Sequence, residues 1–228
     1  MKLTVLFPAY FPELQWWHKF SRADVVVFLD DYPFSGSSHI NRAYIKSVDG
    51  KVPLTVPVLH PSKHPLVRDL AVDNSKNWRR THRHSVEISY RNAPYFEHYF
   101  PHLEAFYAQE RRGFLEVAMD GIQLVKALLR WEKEEYFSSE TAFQGTREER
   151  VLQLLREYNC STYLIESESE PYFNRSKLEE EGYLVELVPP PTKPYQQQFE
   201  PFIPGLSILD VLLNEGPYAI HIVRDEQA

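Results

Sequence analysis

Short apolar runs alternate with amphipathic stretches along most of the chain, and that rhythm predicts an α/β protein. Residues 2–7 form the first apolar run, closed by Pro8, and read as a strand. Residues 12–22 continue at helical period, with Pro12 suited to the first turn and Leu14, Trp17 and Phe20 on one face. Residues 24–29 supply a second apolar run, so the chain opens as β-α-β, which implies a parallel pair joined by a right-handed crossover. Residues 43–48 and 52–58 flank Asp49-Gly50, a hairpin signal, and Pro53 and Pro57 mark the second arm as an edge strand.

Beyond residue 73 the period becomes helical, with helices expected over 75–92, 95–109 and 114–133. Thr146-Arg-Glu-Glu149 is a capping box opening a helix that runs to about Tyr158. Strands are expected at 161–165 and 183–188, with a helical turn over 177–181 between them and Pro189 ending the second. Ser207 to Asp210 caps a short last helix that stops at Gly216, and Asp210 is read as part of that cap. The expected fold class is α/β, a mainly parallel sheet with a β-hairpin and a helical insertion. Strands at both ends, with no repeat or linker between, favour one domain over residues 1–228 with a helical subregion at 75–135.

Composition narrows the function classes. At 43% hydrophobic and 14% aromatic residues, a chain of 228 residues can bury a substantial core. A net charge of -7 argues against a general nucleic-acid binder. The single cysteine, Cys160, favours a reducing compartment, no apolar run is long enough to span a bilayer, and residues 1–20 do not read as a signal peptide. A cytoplasmic location is expected.

Three constellations carry candidate chemistry. The apolar run from Asp24 ends in Asp30 and Asp31, which a buried parallel strand delivers to the sheet edge, and Asn41, Arg42 and Lys46 follow within reach. Arginine and lysine there suit a phosphate or carboxylate, while the alternative is a structural Asp31–Arg42 pair. Tyr10, in the loop after the first strand, belongs to the same edge if both strands run parallel. In the helix from residue 75, Trp78, His82, Ser85, Val86 and Ser89 share one face, so His82 points inward as a neutral-pH acid or base or as a satisfied core histidine. Arg79, Arg80 and Arg83 point elsewhere and read as a solvated face. His82-x-His84 and His60-x-x-x-His64 complete no zinc pattern, and eight glycines include no phosphate-binding loop. No metal site is expected, and no cofactor is indicated.

Pro8, Tyr10 and Pro12, Ala23-Asp24, Leu29-Asp30-Asp31, Asn41-Arg42, Ile45-Lys46 and Thr55-Val-Pro-Val58 stand in order along the chain. Trp78, His82, Tyr90, Ala93 to Phe96, Gly145 to Arg150, Leu206 to Asp210 and Asn214 to Gly216 continue the series. This ordered set resembles the WbqC-like family of bacterial proteins. Leu6 stands where the family commonly has histidine, and residues 165–173 replace a small-residue loop often seen there. The resemblance implies a role beside surface-polysaccharide (O-antigen) biosynthesis, with transfer of glycyl, aminoacyl or another small acyl group onto a sugar. On that reading the substrate is phosphate- or carboxylate-bearing, such as a nucleotide sugar or activated acyl donor. His82 or Asp31 would handle the proton, Arg42, Lys46, Asn41 and Asp30 would hold the substrate, and Tyr10 and Trp78 would wall the pocket. The rival classes are a non-catalytic nucleotide or small-molecule binder, and an interaction component presenting Tyr95, Phe96, Tyr99 and Phe100.

Overall fold

Strands β1 (Lys2–Leu6), β2 (Val25–Phe28), β7 (Glu134–Phe137), β8 (Thr162–Glu166) and β9 (Leu184–Val188) form one sheet in the order β7-β2-β1-β8-β9. Every pairing in it is parallel, with Leu3 opposite Val25 and Tyr163, and Val27 opposite Tyr136. The computed structural model describes residues 1–36, 39–59, 65–141, 143 and 145–225. Ser37 and Ser38 of the stretch before Asn41, and the expected His60 and His64 spacing, lie outside them.

Alternation along the strands places one core on each sheet face. Leu3, Val25, Val27, Tyr163 and Ile165 pack with Val151, Leu152 and Leu155 of α5 (Arg147–Glu157). Leu6, Val26, Phe28 and Leu164 face the other way, onto Trp17 and Phe20 of α1 (Leu14–Arg22) and the larger core beyond. That core includes the antiparallel hairpin β3 (Arg42–Ser47) and β4 (Gly50–Thr55), together with α2 (Trp78–Tyr90), α3 (Phe96–Ala108), α4 (Phe114–Leu129), α7 (Ile208–Glu215) and α8 (Ala219–Arg224). Two short pieces, β5 (Val58–Leu59) and β6 (Ala71–Val72), pair antiparallel beside it, and α6 (Ser176–Glu179) precedes β9.

The expected α/β class holds, and the sheet is wholly parallel. The helix expected over 114–133 ends at Leu129, where Arg130 turns left-handed, and the chain re-enters the sheet as β7. A second correction concerns Asp210. Ser207 caps α7 through its side chain, whereas Asp210 is fully buried and accepts the Tyr90 hydroxyl at 2.7 Å. Burial pushes the Asp210 carboxyl up from its ordinary value, against the pull of the Tyr90 hydrogen bond.

Strand order fixes where a ligand can enter. From β1 the chain moves to β2 and then β7 on one side, and returns past β1 to β8 and β9 on the other. The direction reverses between β1 and β8, and an open parallel sheet leaves a crevice at the carboxyl ends of such a strand pair.

Candidate functional site

A cavity of about 850 Å³ occupies that crevice. Leu6 at the end of β1 and Phe7 after it, Leu29 after β2, and Ile165 and Glu166 at the end of β8 form its floor. The hairpin supplies Arg42, Tyr44 and Lys51 to one side, α5 supplies Arg147, Arg150 and Val151 to the other, and α1 supplies Trp16 and Lys19. Elements from opposite sheet faces thus converge at the strand ends, as a switch point requires.

Among the described residues, five cationic side chains, Lys19, Arg42, Lys51, Arg147 and Arg150, line this space with two carboxylates, Glu13 and Glu166. Two of the cations are matched. Lys19 Nζ sits 3.1 Å from Glu166, and Arg150 lies 2.8 Å from Asp31 Oδ2. Burial lowers the Lys19 pKa, and Glu166 opposes that shift. Arg42 donates to Thr55 Oγ1 at 3.0 Å, Lys51 stands over the Tyr44 ring at 4.4 Å, and Arg147 over the Phe173 ring at 5.2 Å. None of these three makes an ion pair among the described residues. The cavity is therefore electropositive within a chain of net charge -7.

Of the residues singled out from sequence, Arg42 lines this cavity directly. Asp31 reaches it through Arg150, so its ion-pair partner is Arg150 and not Arg42. Asp31 also accepts the Ser138 hydroxyl, while the buried Asp30 accepts from Ser139 N at 2.9 Å and Ser139 Oγ at 2.6 Å. The two carboxylates thereby fasten the turn after β7 to the end of β2. Asn41 Nδ2 donates to Val56 O at 2.9 Å. Lys46 is buried toward the turn end of the hairpin, where Nζ donates to Gln197 Oε1, Phe199 O and Pro201 O at 3.0, 2.6 and 2.5 Å.

Tyr10, His82 and Trp78 meet one another away from the cavity lining. Tyr10 is fully buried, its hydroxyl 3.0 Å from His82 Nδ1 and 2.7 Å from the Tyr107 hydroxyl. The Trp78 ring stands edge-on to both, 6.2 Å from Tyr10 and 5.3 Å from His82. The Thr55 backbone also hydrogen-bonds the imidazole, whose pKa burial lowers to about 4. The ring is neutral at physiological pH. Helical phase on α2 was enough to point His82 inward, but its nitrogens are engaged by Tyr10 and Thr55. The outward arginines pair with carboxylates, Arg79 with Glu110 and Arg83 with Glu104 and Glu87.

Sequence reasoning missed Glu13, Lys19, Lys51, Arg147 and Arg150. A signal existed: Glu13, Trp16 and Lys19 recur at intervals of three along α1, as Arg147 and Arg150 do on α5, so each set shares a helix face. Among the described residues, no three His, Cys, Asp or Glu side chains gather closely enough to hold a metal ion. No described helix is long and apolar enough to cross a membrane.

The model of the WbqC-like protein family matches residues 8–222. The chain belongs to that family. The match takes in every cavity-lining residue of this WbqC-like chain from Ala9 onward. It is 22% identical to the uncharacterized protein Rv1507c of Mycobacterium tuberculosis, over 98% of this chain and 97% of that one. No solved structure matches it.

Proposed function

We propose that this WbqC-like chain is a transferase acting on an anionic, activated small molecule held in the switch-point cavity. The observation that carries the reading is the excess of cations there, three of them without a carboxylate ion pair among the described residues. A net positive recess at a parallel sheet's switch point suits a phosphate- or carboxylate-bearing ligand, and its volume suits one of nucleotide-sugar or activated-acyl size. Arg42, Lys51 and Arg147 hold the anion, and arginine gives it two-point contact. Asp31 sets the direction of Arg150, and Asp30 fixes the turn beneath it. Tyr10, Trp78 and His82 hold the first loop from behind as positioning residues, Asn41 pins the entry to the hairpin, and Lys46 ties its turn end to residues 197–201.

In the finer form of the proposal, an acceptor hydroxyl or amine on a sugar attacks the carbonyl carbon of a glycyl, aminoacyl or other small acyl donor. The new C–O or C–N bond forms as the donor's bond to its leaving group breaks. The leaving group departs with that electron pair into the cationic recess, which stabilises its charge, and the proton lost by the acceptor is released to water. Surface-polysaccharide assembly in the cytoplasm is the setting this reading gives it. A thermal-shift screen against nucleotides, nucleotide sugars, acyl-CoAs and amino acids, repeated on Arg42→Ala, tests it. A ligand bound to the native state raises its apparent stability. Stabilisation by an anionic ligand that disappears in the variant supports the site, and stabilisation unchanged in the variant removes Arg42 from it.

A second reading, a binding protein without chemistry, is favoured by the engagement of both His82 contacts with protein groups. Mass spectrometry of acceptor sugars incubated with the stabilising donor separates the two, because only a transferase adds mass to the acceptor. The interaction-component reading keeps only Tyr95 of its surface, since Phe96, Tyr99 and Phe100 are buried.

A further inference from the structure

We propose that Glu13 makes this cavity selective for anions that also carry hydroxyl groups, the chemical class of sugar phosphates. The inference rests on the anion-site reading above and goes beyond it by assigning a polar selector that the cationic residues cannot provide.

Glu13 is the cavity's uncommitted carboxylate. Glu166 is taken by Lys19, whereas the Glu13 side chain makes no hydrogen bond or ion pair among the described residues. Its backbone is fixed on both sides: it bridges to Ser207, and Pro12 O accepts from Ile208 N at 3.0 Å. The side chain therefore leaves a rigid base toward the opening. Gly205 marks the spot it faces. A Cβ at Gly205 would stand 3.1 Å from Glu13 Oε2 and 3.6 Å from Lys51 Nζ, so an acceptor and a cationic donor lie near one another beside Gly205 at the cavity rim. Gly205 has φ +65°, a conformation that itself favours glycine, so no side chain of its own stands between the two groups.

The charge balance decides what fits between them. A ligand ammonium would be repelled by Lys51 and by the cation surplus behind it. A hydroxyl meets both neighbours at once, donating to the Glu13 carboxylate and accepting from the Lys51 ammonium. Trp16, on the same face of α1, and Tyr44 on the hairpin supply aromatic walls for the carbon face of a ring. Partial desolvation raises the Glu13 pKa despite Lys51, which strengthens its demand for a donor.

The test is calorimetric titration of the full chain with inorganic phosphate, glucose 6-phosphate and glucosamine 6-phosphate. Wild type, Glu13→Ala and Arg42→Ala are compared, with circular dichroism confirming that each is folded. Wild type should bind glucose 6-phosphate about tenfold or more tightly than phosphate, since a site built around a hydroxyl rejects a ligand lacking it. Glu13→Ala should abolish that preference while phosphate affinity stays equal or rises, because a negative charge has left the cavity. Arg42→Ala should weaken all three. A preference unchanged in Glu13→Ala, an equal loss for phosphate and sugar phosphate, or a Glu13-dependent preference for the amine overturns the proposal. Phosphate binding without any sugar preference overturns the Glu13 assignment alone. Failure of wild type to bind any of the three overturns the anion site with it.

Discussion

The Tyr10 hydroxyl lies 3.0 Å from His82 Nδ1, and the pair is sealed beneath the loop that follows β1. Tyr10 N donates to Ile40 O at 2.8 Å, so the same residue ties this loop to the segment leading into the hairpin. One buried polar contact therefore sets the spacing of two cavity walls. Tyr10→Phe removes the hydroxyl and leaves His82 and Tyr107 short of a buried partner, a change worth about 1–3 kcal/mol. The expected result is a lower urea midpoint with an unchanged slope.

The neutral imidazole also predicts a pH dependence. His82 titrates near 4 in the folded chain and near 6.5 when unfolded. Between those values the unfolded state binds more protons, so stability rises with pH. The contribution is fully present above pH 6.5 and is lost progressively as pH falls toward 4, reaching about 3 kcal/mol. Urea denaturation of wild type and His82→Gln across pH 4–7 should show a steeper acid loss in wild type. Parallel curves would mean that the ring is not held neutral.

Arg42 should govern affinity without governing stability. It is half-buried, and its one strong described partner is the Thr55 hydroxyl at 3.0 Å. Arg42→Ala is expected to change the melting midpoint little while weakening anion binding about tenfold or more, the loss of one charge-assisted contact. Affinity should also fall with added salt in wild type, and less so in the variant. Titrations at two ionic strengths read both effects.

Much of the frame was legible in the sequence, because strand period, capping and turn chemistry are local. The Thr146 box caps α5 as its residues imply, and the hairpin turns at Val48-Asp49, one residue before the expected Asp49-Gly50, with Gly50 already paired to Ser47. Strand β7 was not legible. Glu134-Glu-Tyr-Phe137 is short, begins with two charges and is held by β2 alone at the sheet edge, so its identity comes from pairing and not from pattern. The site divides in the same way. Helical phase turned Trp78 and His82 inward together, and Arg42 reaches the cavity from the predicted hairpin. Arg150 joins Asp31 across 119 positions of sequence, a pairing that depends on the return of the chain to β8 and that no local signal carries.

The Asp31–Arg150 pair should behave as one unit. Both side chains are about one-fifth exposed, and the contact is 2.8 Å. Asp31→Asn frees the guanidinium to wander from the cavity wall, so anion affinity should drop although Asp31 itself is not a lining residue. In an Arg150→Ala background the same substitution should have little further effect. A double-mutant cycle on phosphate binding measures this coupling, and additive losses would show that Asp31 acts independently.

Lys46 is where a charged residue in a family-like motif and its surroundings point to different consequences. Its ammonium is buried against three acceptors, Gln197 Oε1, Phe199 O and Pro201 O, which belong to the segment approaching α7. Lys46 N donates to the Tyr90 hydroxyl at 3.0 Å, and that hydroxyl donates onward to Asp210. The hairpin, α2, α7 and the 197–201 segment thus share one polar junction. Lys46→Met keeps the stem's apolar packing but strips the acceptors of their donor, and buried acceptors left unpaired cost about 1–3 kcal/mol each. We expect a fall of at least about 2 kcal/mol in unfolding free energy and faster proteolysis within residues 195–203, with anion affinity of the folded fraction preserved. Loss of affinity at full stability would instead place the Lys46 charge among the groups that hold the substrate.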